Sequence, residues 1–286
     1  MRQADPAATS SRLSMPVRPS RLRAGLRLGA TLLRASLLTQ LEYPADFSAG
    51  LAVAALLSAS DVVTFGAILW RFHAIGGWGP GGVAVLYGLS MGGYALHRLF
   101  AGDLHSLSDY VRSGDFDGLL LRPWPPLFAL ICRSGRVGQF ANLAVPAAAL
   151  VWGCERLLAT GALPAWGPAV LAGVLLCGTA LQYAVAIATH AAAFWIVRAD
   201  ELSVLTVNAP NTAAQYPLTA FPGWLRDYLV GVVPVGLCVF YPVRFLIGRG
   251  GGWPDVLCAP AAAAVALAAA LALWRHGERR YMGTGT

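Results

Sequence analysis

The sequence contains no lysine, since all 21 of its basic residues are arginine. A Walker-type P-loop needs a lysine beside the nucleotide phosphates, and Schiff-base catalysis needs a lysine amine, so both are excluded. Charge is scarce as well: 12% of residues are charged, against roughly 25% in soluble domains. With 57% hydrophobic residues, this composition is that of a protein that crosses a membrane several times.

Cysteine and histidine are equally sparse. The five cysteines form no C-x-x-C pair, and most lie in or beside apolar segments, where a thiol packs as a small hydrophobic side chain. The five histidines form no H-E-x-x-H motif. We therefore expect no metal, no cofactor bound by this chain and no enzyme activity. The net charge of +7 does not predict nucleic-acid binding, because the arginines lie at the ends of apolar segments.

Long apolar runs predict an all-α membrane protein with six transmembrane helices. Five of the spans are clear: Phe47–Ile75, Val83–Phe100, Gly135–Cys154, Trp166–Val197 and Trp253–Trp274. Each holds enough apolar residues to cross a hydrocarbon core of roughly 30 Å. The remaining span lies between residues 201 and 247.

Two candidates compete for this fifth span. Tyr228–Ile247 is the more apolar, but Pro234 and Pro242 interrupt it. Glu201–Ala220 is more polar and holds three amide side chains: Asn208, Asn211 and Gln215. Two full crossings here would put the C-terminal arginines on the opposite side. Because proline-broken backbone at membrane depth must be shielded by protein or water, we assign Glu201–Ala220 as the crossing and 222–248 as an external re-entrant pair of short helices.

The N-terminal part divides into a tail and an amphipathic segment. Residues 1–20 are rich in Arg, Ser and Pro without an apolar core, which predicts a disordered cytoplasmic tail. In residues 21–43, leucines and arginines recur at helical spacing on adjacent faces, which predicts a helix lying in the membrane interface. The six-span domain then covers 44–286. With six spans, 16 of the 21 arginines fall on the side of both termini, which predicts that both termini are cytoplasmic.

Between the second and third spans, residues 114–127 read GDFDGLLLRPWPPL. Apolar residues before them follow a helical spacing, Gly114 can end that helix, and Asp115 or Asp117 can cap a second one that Arg122 and its following proline terminate. One interpretation is a pair of short helices that dock into a partner, with Phe116 as the apolar anchor. The other is a solvated loop with capping carboxylates. The residues alone do not decide between them.

Polar residues inside the spans are also open to two interpretations. Asp61 lies in the middle of the first span, and Gln182 and His190 share a face of the fourth. Asn208, Asn211 and Gln215 share a face of the fifth. These side chains either line a transport pathway or join helices through hydrogen bonds. On the second span, Gly88 and Gly92 predict a close helix contact.

Three stretches resemble the type-2 ABC exporter permeases, bacterial membrane subunits that work with a separate ATPase. Gly114–Leu127 is similar to the family's G-x-(F/L)-D-x-x-L-L-R-P loop. The segment 216–248 is similar to its Y-P … P-x-W … P … P pattern, and 279–285 to its R-Y-x-G-x-G ending. The resemblance covers residues 21–286.

The resemblance implies a permease subunit in the bacterial plasma membrane, paired with a second copy or a related permease and in contact with membrane lipid. ATP and Mg²⁺ would be bound by a dimeric ATPase that docks on a cytosolic coupling loop, residues 101–125. The implied ATPase-coupling residues are Asp109, Arg112, Asp115, Phe116, Asp117 and Arg122. The implied external gate holds Pro222, Trp224 and Pro234. Lipids, glycan precursors, antibiotics and other amphiphiles are the expected substrates.

A stand-alone secondary transporter or channel is the alternative. In that case Asp61 and His190 would be the proton-linked groups, since an ionisable side chain inside a membrane marks an ion or proton route by default.

Overall fold

The computed structural model describes residues 74–121, 124–132, 141–196 and 201–281, with isolated helical positions between 48 and 71. The predicted tail and amphipathic helix lie outside the described residues, as does most of the predicted first span. The helices are α1 Pro80–Phe100, α2 Leu107–Ser113, α3 Asp115–Leu120, α4 Pro126–Cys132, α5 Ala141–Ala159, α6 Gly167–Ala191, α7 Ala209–Ala213, α8 Gly223–Val232, α9 Gly236–Leu246 and α10 Trp253–Arg280.

The central element is α1, whose residues 81–90 are all buried. It packs most extensively on α5 and next on α6. A Cβ added at Gly88 would lie 2.7 Å from the Leu150 Cβ and 2.8 Å from the Pro146 carbonyl oxygen, and one at Gly92 would lie 3.2 Å from a Leu175 methyl group. The backbones of α1 and α5 therefore approach each other as the glycine spacing predicted, because no side chain separates them at Gly88.

Two described helices are long and apolar enough to cross a membrane. One is α6 with its following 3₁₀ turn, Gly167–Phe194, and the other is α10, each 28 residues long. The pair α8 and α9 counts as a third if it forms one bent span. The predicted second and third spans form α1 and α5, with 21 and 19 residues. Their crossing of the membrane stays a prediction, as does the count of six spans.

The predicted fifth span is helical but not continuous. A π-helical turn, Val204–Asn208, leads into α7, and a separate 3₁₀ turn follows at Leu218–Ala220. Further π turns occur at Tyr228–Val232 and Gly236–Phe240. Each of the three turns ends two residues before a proline: Pro210, Pro234 and Pro242. Proline has no N–H to donate and its ring crowds the carbonyl four residues earlier, so the helix widens or breaks there.

The segment 222–248 forms two short helices, as predicted. Helices α8 and α9 are bent by 86° at the break that holds Pro234. The two helices differ in environment: α9 packs on α10 and contacts α1 and α6, whereas α8 carries the strongly exposed Trp224. Their position relative to a membrane is a prediction that these contacts do not test.

Candidate coupling loop and polar helix faces

The coupling loop begins directly after α1 with a 3₁₀ turn, Gly102–Ser106, and continues into α2 and α3. Leu104 and Leu107 are fully buried and attach the loop to the protein. Gly114 joins the two helices with φ 82°, a left-handed conformation that glycine adopts without a steric cost. The predicted helix pair and its glycine junction are therefore present.

The carboxylates of α3 do not cap it as predicted. The N-cap residue is Gly114, which has no side chain, and the Asp115 amide donates a hydrogen bond of 3.3 Å to the Ser113 hydroxyl oxygen. Asp115 and Asp117 instead lie within the first turn, where negative charge is favoured by the partial positive charge of a helix N-terminus. The Asp115 carboxylate accepts a hydrogen bond of 2.8 Å from the Ser113 hydroxyl, which ties the two helices together across the glycine.

Phe116 lies inside the protein and not on the surface. Its exposed fraction is 0%, and its ring centroid lies 5.0 Å from that of Tyr281, 5.3 Å from Phe194 and 6.4 Å from Trp274. We call these four residues the aromatic anchor. Edge-to-face pairs of this kind contribute roughly 0.5–1.5 kcal/mol each beyond area burial. One interpretation of the sequence was that Phe116 inserts into a partner protein. Its side chain instead attaches the helix pair to the ends of α6 and α10, so it is not available to a partner.

Tyr281 is the member of the aromatic anchor that Asp117 influences electrostatically. Burial raises the pKa of the Tyr281 phenol, and the nearby Asp117 carboxylate raises it further. The phenol is therefore neutral at physiological pH. Asp117 is half-buried, so it faces the protein more than the solvent.

The exposed face of the helix pair carries charge and leucine. Asp109 and Arg112 form an ion pair of 2.6 Å with side chains 65% and 70% exposed, and Asp115 is exposed beside them. Leu121 is 88% exposed and Leu120 is 42% exposed. These two leucines were not among the predicted site residues, although the three consecutive leucines of the motif could have indicated that one or two face outward. Arg122 lies outside the described residues.

A second contact joins the coupling loop to α6. His105 Nδ1 lies 2.9 Å from His190 Nε2, so one imidazole donates a hydrogen bond to the other. His97 lies edge-on to His105, with ring centroids 5.5 Å apart, and edge-on to Tyr183 at 4.9 Å. Within the described ranges, histidine, cysteine and acidic residues form no group of three that fits a metal ion. His190 is 2% exposed, so within this chain it joins α6 to the loop.

Three of the other predicted pathway residues form hydrogen bonds within the protein. Gln182 donates a hydrogen bond of 3.0 Å to the Asn211 side chain, and both Asn211 and Gln215 donate to the sulfur of Met91 at 3.2 Å. The interpretation as hydrogen bonds between helices fits these three residues, which join α1, α6 and the segment around α7. Asp61 lies outside the described residues.

Asn208 differs from Gln182, Asn211 and Gln215 because it is exposed. The Tyr94 hydroxyl donates to its side-chain oxygen at 3.2 Å, and Thr212, one turn later, is exposed on the same side. Of the predicted pathway residues within the described ranges, Asn208 is the one with the most open polar side chain.

Residues 88–92 read GLSMG, a match to the G-x-S-x-G pattern of serine hydrolases. That pattern needs a sharp turn between a strand and a helix so that the serine is presented to solvent. Here the residues lie inside α1, and Ser90 is buried with its hydroxyl donating 2.8 Å to the Ala214 carbonyl oxygen. Ser90 therefore joins two helices and is not a nucleophile.

The predicted gate residues lie on and between α8 and α9. Pro222 is the N-cap of α8, Trp224 is 72% exposed in its first turn, and Pro234 lies at the 86° bend. Tyr228 donates its hydroxyl proton to the Leu205 carbonyl oxygen at 2.9 Å, which links α8 to the π turn before α7.

Comparison with known proteins adds one match. A family model described as ABC-2 family transporter protein matches residues 55–285. No curated protein and no solved structure matches the chain.

Proposed function

Because this chain belongs to the ABC-2 family of transporter proteins, we propose that it is the permease of an ATP-driven exporter whose energy comes from a separate ATPase docked on the coupling loop. Without lysine the chain has no Walker lysine of its own, so the nucleotide must be bound elsewhere. The proposed substrate is a lipid, a glycan precursor, an antibiotic or another amphiphile. The proposed location is the bacterial plasma membrane, with both termini cytoplasmic.

The observation that carries this proposal is the two-sided character of the helix pair. One side of α2 and α3 is held in the aromatic anchor through Phe116. The opposite side carries Asp109, Arg112, Asp115, Leu120 and Leu121, all exposed. Interfaces combine apolar contact residues with charged residues that fix partner and register. A rigidly held helix pair with such a face is suited to transmit force from a docked ATPase.

The proposed assembly contains two permeases and two ATPase subunits. The strongly exposed apolar residues of α6 and α10, such as Leu176, Val265 and Leu257, need lipid or another membrane helix around them. A second copy of this chain or a related permease would cover part of that surface, and membrane lipid the rest.

The test uses two substitutions on the exposed face, Arg112→Glu and Leu121→Asp. Loss of the exposed Asp109–Arg112 pair costs about 0.2–1 kcal/mol at most, so the fold should persist. We expect each variant to reduce co-purification of the cognate ATPase and to abolish permease-stimulated ATP hydrolysis.

Arg279→Glu is the matched control, because Arg279 is an exposed arginine at the C-terminal end of α10 and outside the helix pair. The docking proposal fails if the face variants bind the ATPase as tightly as the unchanged chain does. It also fails if Arg279→Glu weakens binding to the same extent.

A further inference from the structure

A cavity of about 280 Å³ lies at the end of α1 remote from the coupling loop. It is partly open to the surface, and its walls are the start of α1, the end of α5 and the loop after α9. Its polar lining comes from Arg156, Arg249, Thr160 and the backbone of three glycines at positions 79, 81 and 82. No acidic residue is among the described residues that line it.

Tryptophan rings, not carboxylates, position the two arginines. The Arg156 guanidinium carbon lies 5.4 Å from the centroid of the Trp152 ring, and that of Arg249 lies 5.5 Å from the Trp78 ring. Such contacts fix a guanidinium without neutralising its charge or occupying its N–H donors. Neither arginine forms a salt bridge with another described residue.

Arg244 lies on α9, five residues before Arg249, and unlike the two cavity arginines it forms an ion pair. It also lies over an aromatic ring, that of Tyr241, but it donates a hydrogen bond of 2.9 Å to Asp255. Arg244 is half-buried and paired, whereas Arg156 and Arg249 are exposed and form no ion pair with another described residue.

The glycine backbone makes the cavity more favourable to an anion. α1 begins at Pro80 after the N-cap Gly79, with no side-chain cap and no acidic residue in its first turn. The amides of Gly81 and Gly82 have no carbonyl four residues earlier within the helix, and no side chain on these glycines covers them. This contribution is secondary to the two arginines, which come from separate elements.

We infer that this cavity binds an oxyanion, specifically a phosphate group, through Arg156 and Arg249. Planar guanidinium groups match the oxygens of phosphate in pairs. The volume admits the phosphate of a lipid headgroup or a free phosphate, but not a whole lipid. This inference does not depend on the docked ATPase, because it concerns the opposite end of α1, about 30 Å away for a helix of 21 residues.

The experiment uses the full chain in maltoside micelles, which contain no phosphate. Inorganic phosphate is titrated at constant ionic strength and followed by calorimetry, and a short-chain phosphatidylglycerol is followed by native mass spectrometry. We expect saturable binding of at least one probe. Binding of phosphatidylglycerol alone identifies a lipid headgroup as the occupant, and binding of inorganic phosphate identifies a soluble anion. Binding of neither probe overturns the inference.

Two kinds of variant distinguish binding in this cavity from non-specific attraction of an anion to a positively charged protein. Arg156→Gln and Arg249→Gln should each weaken binding about tenfold or more, as expected for loss of a charged hydrogen bond. Gly79→Leu keeps both arginines but fills the cavity: φ is −71° there, and an added Cβ meets no atom within 4 Å. We expect it to abolish binding without unfolding the protein.

The matched controls lie outside the cavity. Arg226→Gln removes an exposed arginine from α8, and Gly223→Leu adds bulk where an added Cβ also meets no atom within 4 Å. Both should bind the probe like the unchanged chain. Equal affinity in the cavity variants and the unchanged chain contradicts the inference, and so does an equal loss in Arg226→Gln.

Discussion

Replacing Phe116 by alanine tests whether the aromatic anchor holds the coupling loop. The side chain is fully buried against three aromatic rings. Truncation of a buried phenylalanine to alanine costs about 3–5 kcal/mol. Helices α2 and α3 have only seven and six residues, and isolated helices shorter than roughly 12 residues are marginal in water. Their stability therefore depends on this attachment.

The cost should appear as local opening and not as global unfolding. A loss of about 3 kcal/mol corresponds to on the order of a hundredfold more frequent opening, at 1.4 kcal/mol per factor of ten. Hydrogen exchange followed by mass spectrometry measures it directly. We expect amides of α2 and α3 in Phe116→Ala to exchange on the order of a hundredfold faster, while those of the buried α1 exchange as before.

The control for this prediction is Leu121→Ala, at the exposed end of α3. It removes an exposed leucine from the same segment without touching the anchor, so exchange in α2 and α3 should stay unchanged. The reasoning is refuted if Phe116→Ala leaves their exchange unchanged. It is also refuted if α1 loses protection equally, because the effect would then be global.

Two further predictions concern helix packing and an ion pair. Gly88→Leu should lower the thermal unfolding midpoint in detergent, because its Cβ alone would meet Leu150 and the Pro146 carbonyl below 3.0 Å and overpacking costs about 1–3 kcal/mol or more. Arg244→Gln should destabilise by about 1–2 kcal/mol, between an exposed and a buried pair, because Asp255 loses its partner in a half-buried position.

Each of these substitutions has a control. Gly173→Leu adds the same bulk to α6 where an added Cβ meets nothing within 4 Å, and an equal drop in midpoint there contradicts the packing argument. For the ion pair, the double variant Arg244→Gln, Asp255→Asn removes both charges. A midpoint no higher than that of Arg244→Gln alone would show that the unpaired carboxylate is not the cause.

Features of local origin could be predicted from the sequence. The end of α2 at Gly114 follows from a single residue that tolerates a positive φ. The irregular backbone of 201–248 follows from its prolines, and the structure adds that the irregularity takes the form of π turns. The close approach of α1 and α5 follows from the absence of a side chain at Gly88.

Features that depend on distant residues could not be predicted. Phe116 was interpreted as the apolar anchor of a docking surface because aromatic side chains dominate such interfaces. Its ring partners Phe194 and Tyr281 lie 78 and 165 residues later in the sequence. The contact of His105 with His190 likewise joins residues 85 positions apart. Periodicity within one segment carries no information about which remote ring will cover a given face.

The composition of the aromatic anchor has a consequence for biosynthesis. One of the rings that cover Phe116, that of Tyr281, is translated 165 residues after it. A nascent chain can form α2 and α3 early, yet it cannot complete the pocket around Phe116 until Tyr281 has been synthesised. A chain that stops before Trp274 lacks two of the four rings, so the helix pair reaches its final rigidity only after both Trp274 and Tyr281 have been synthesised.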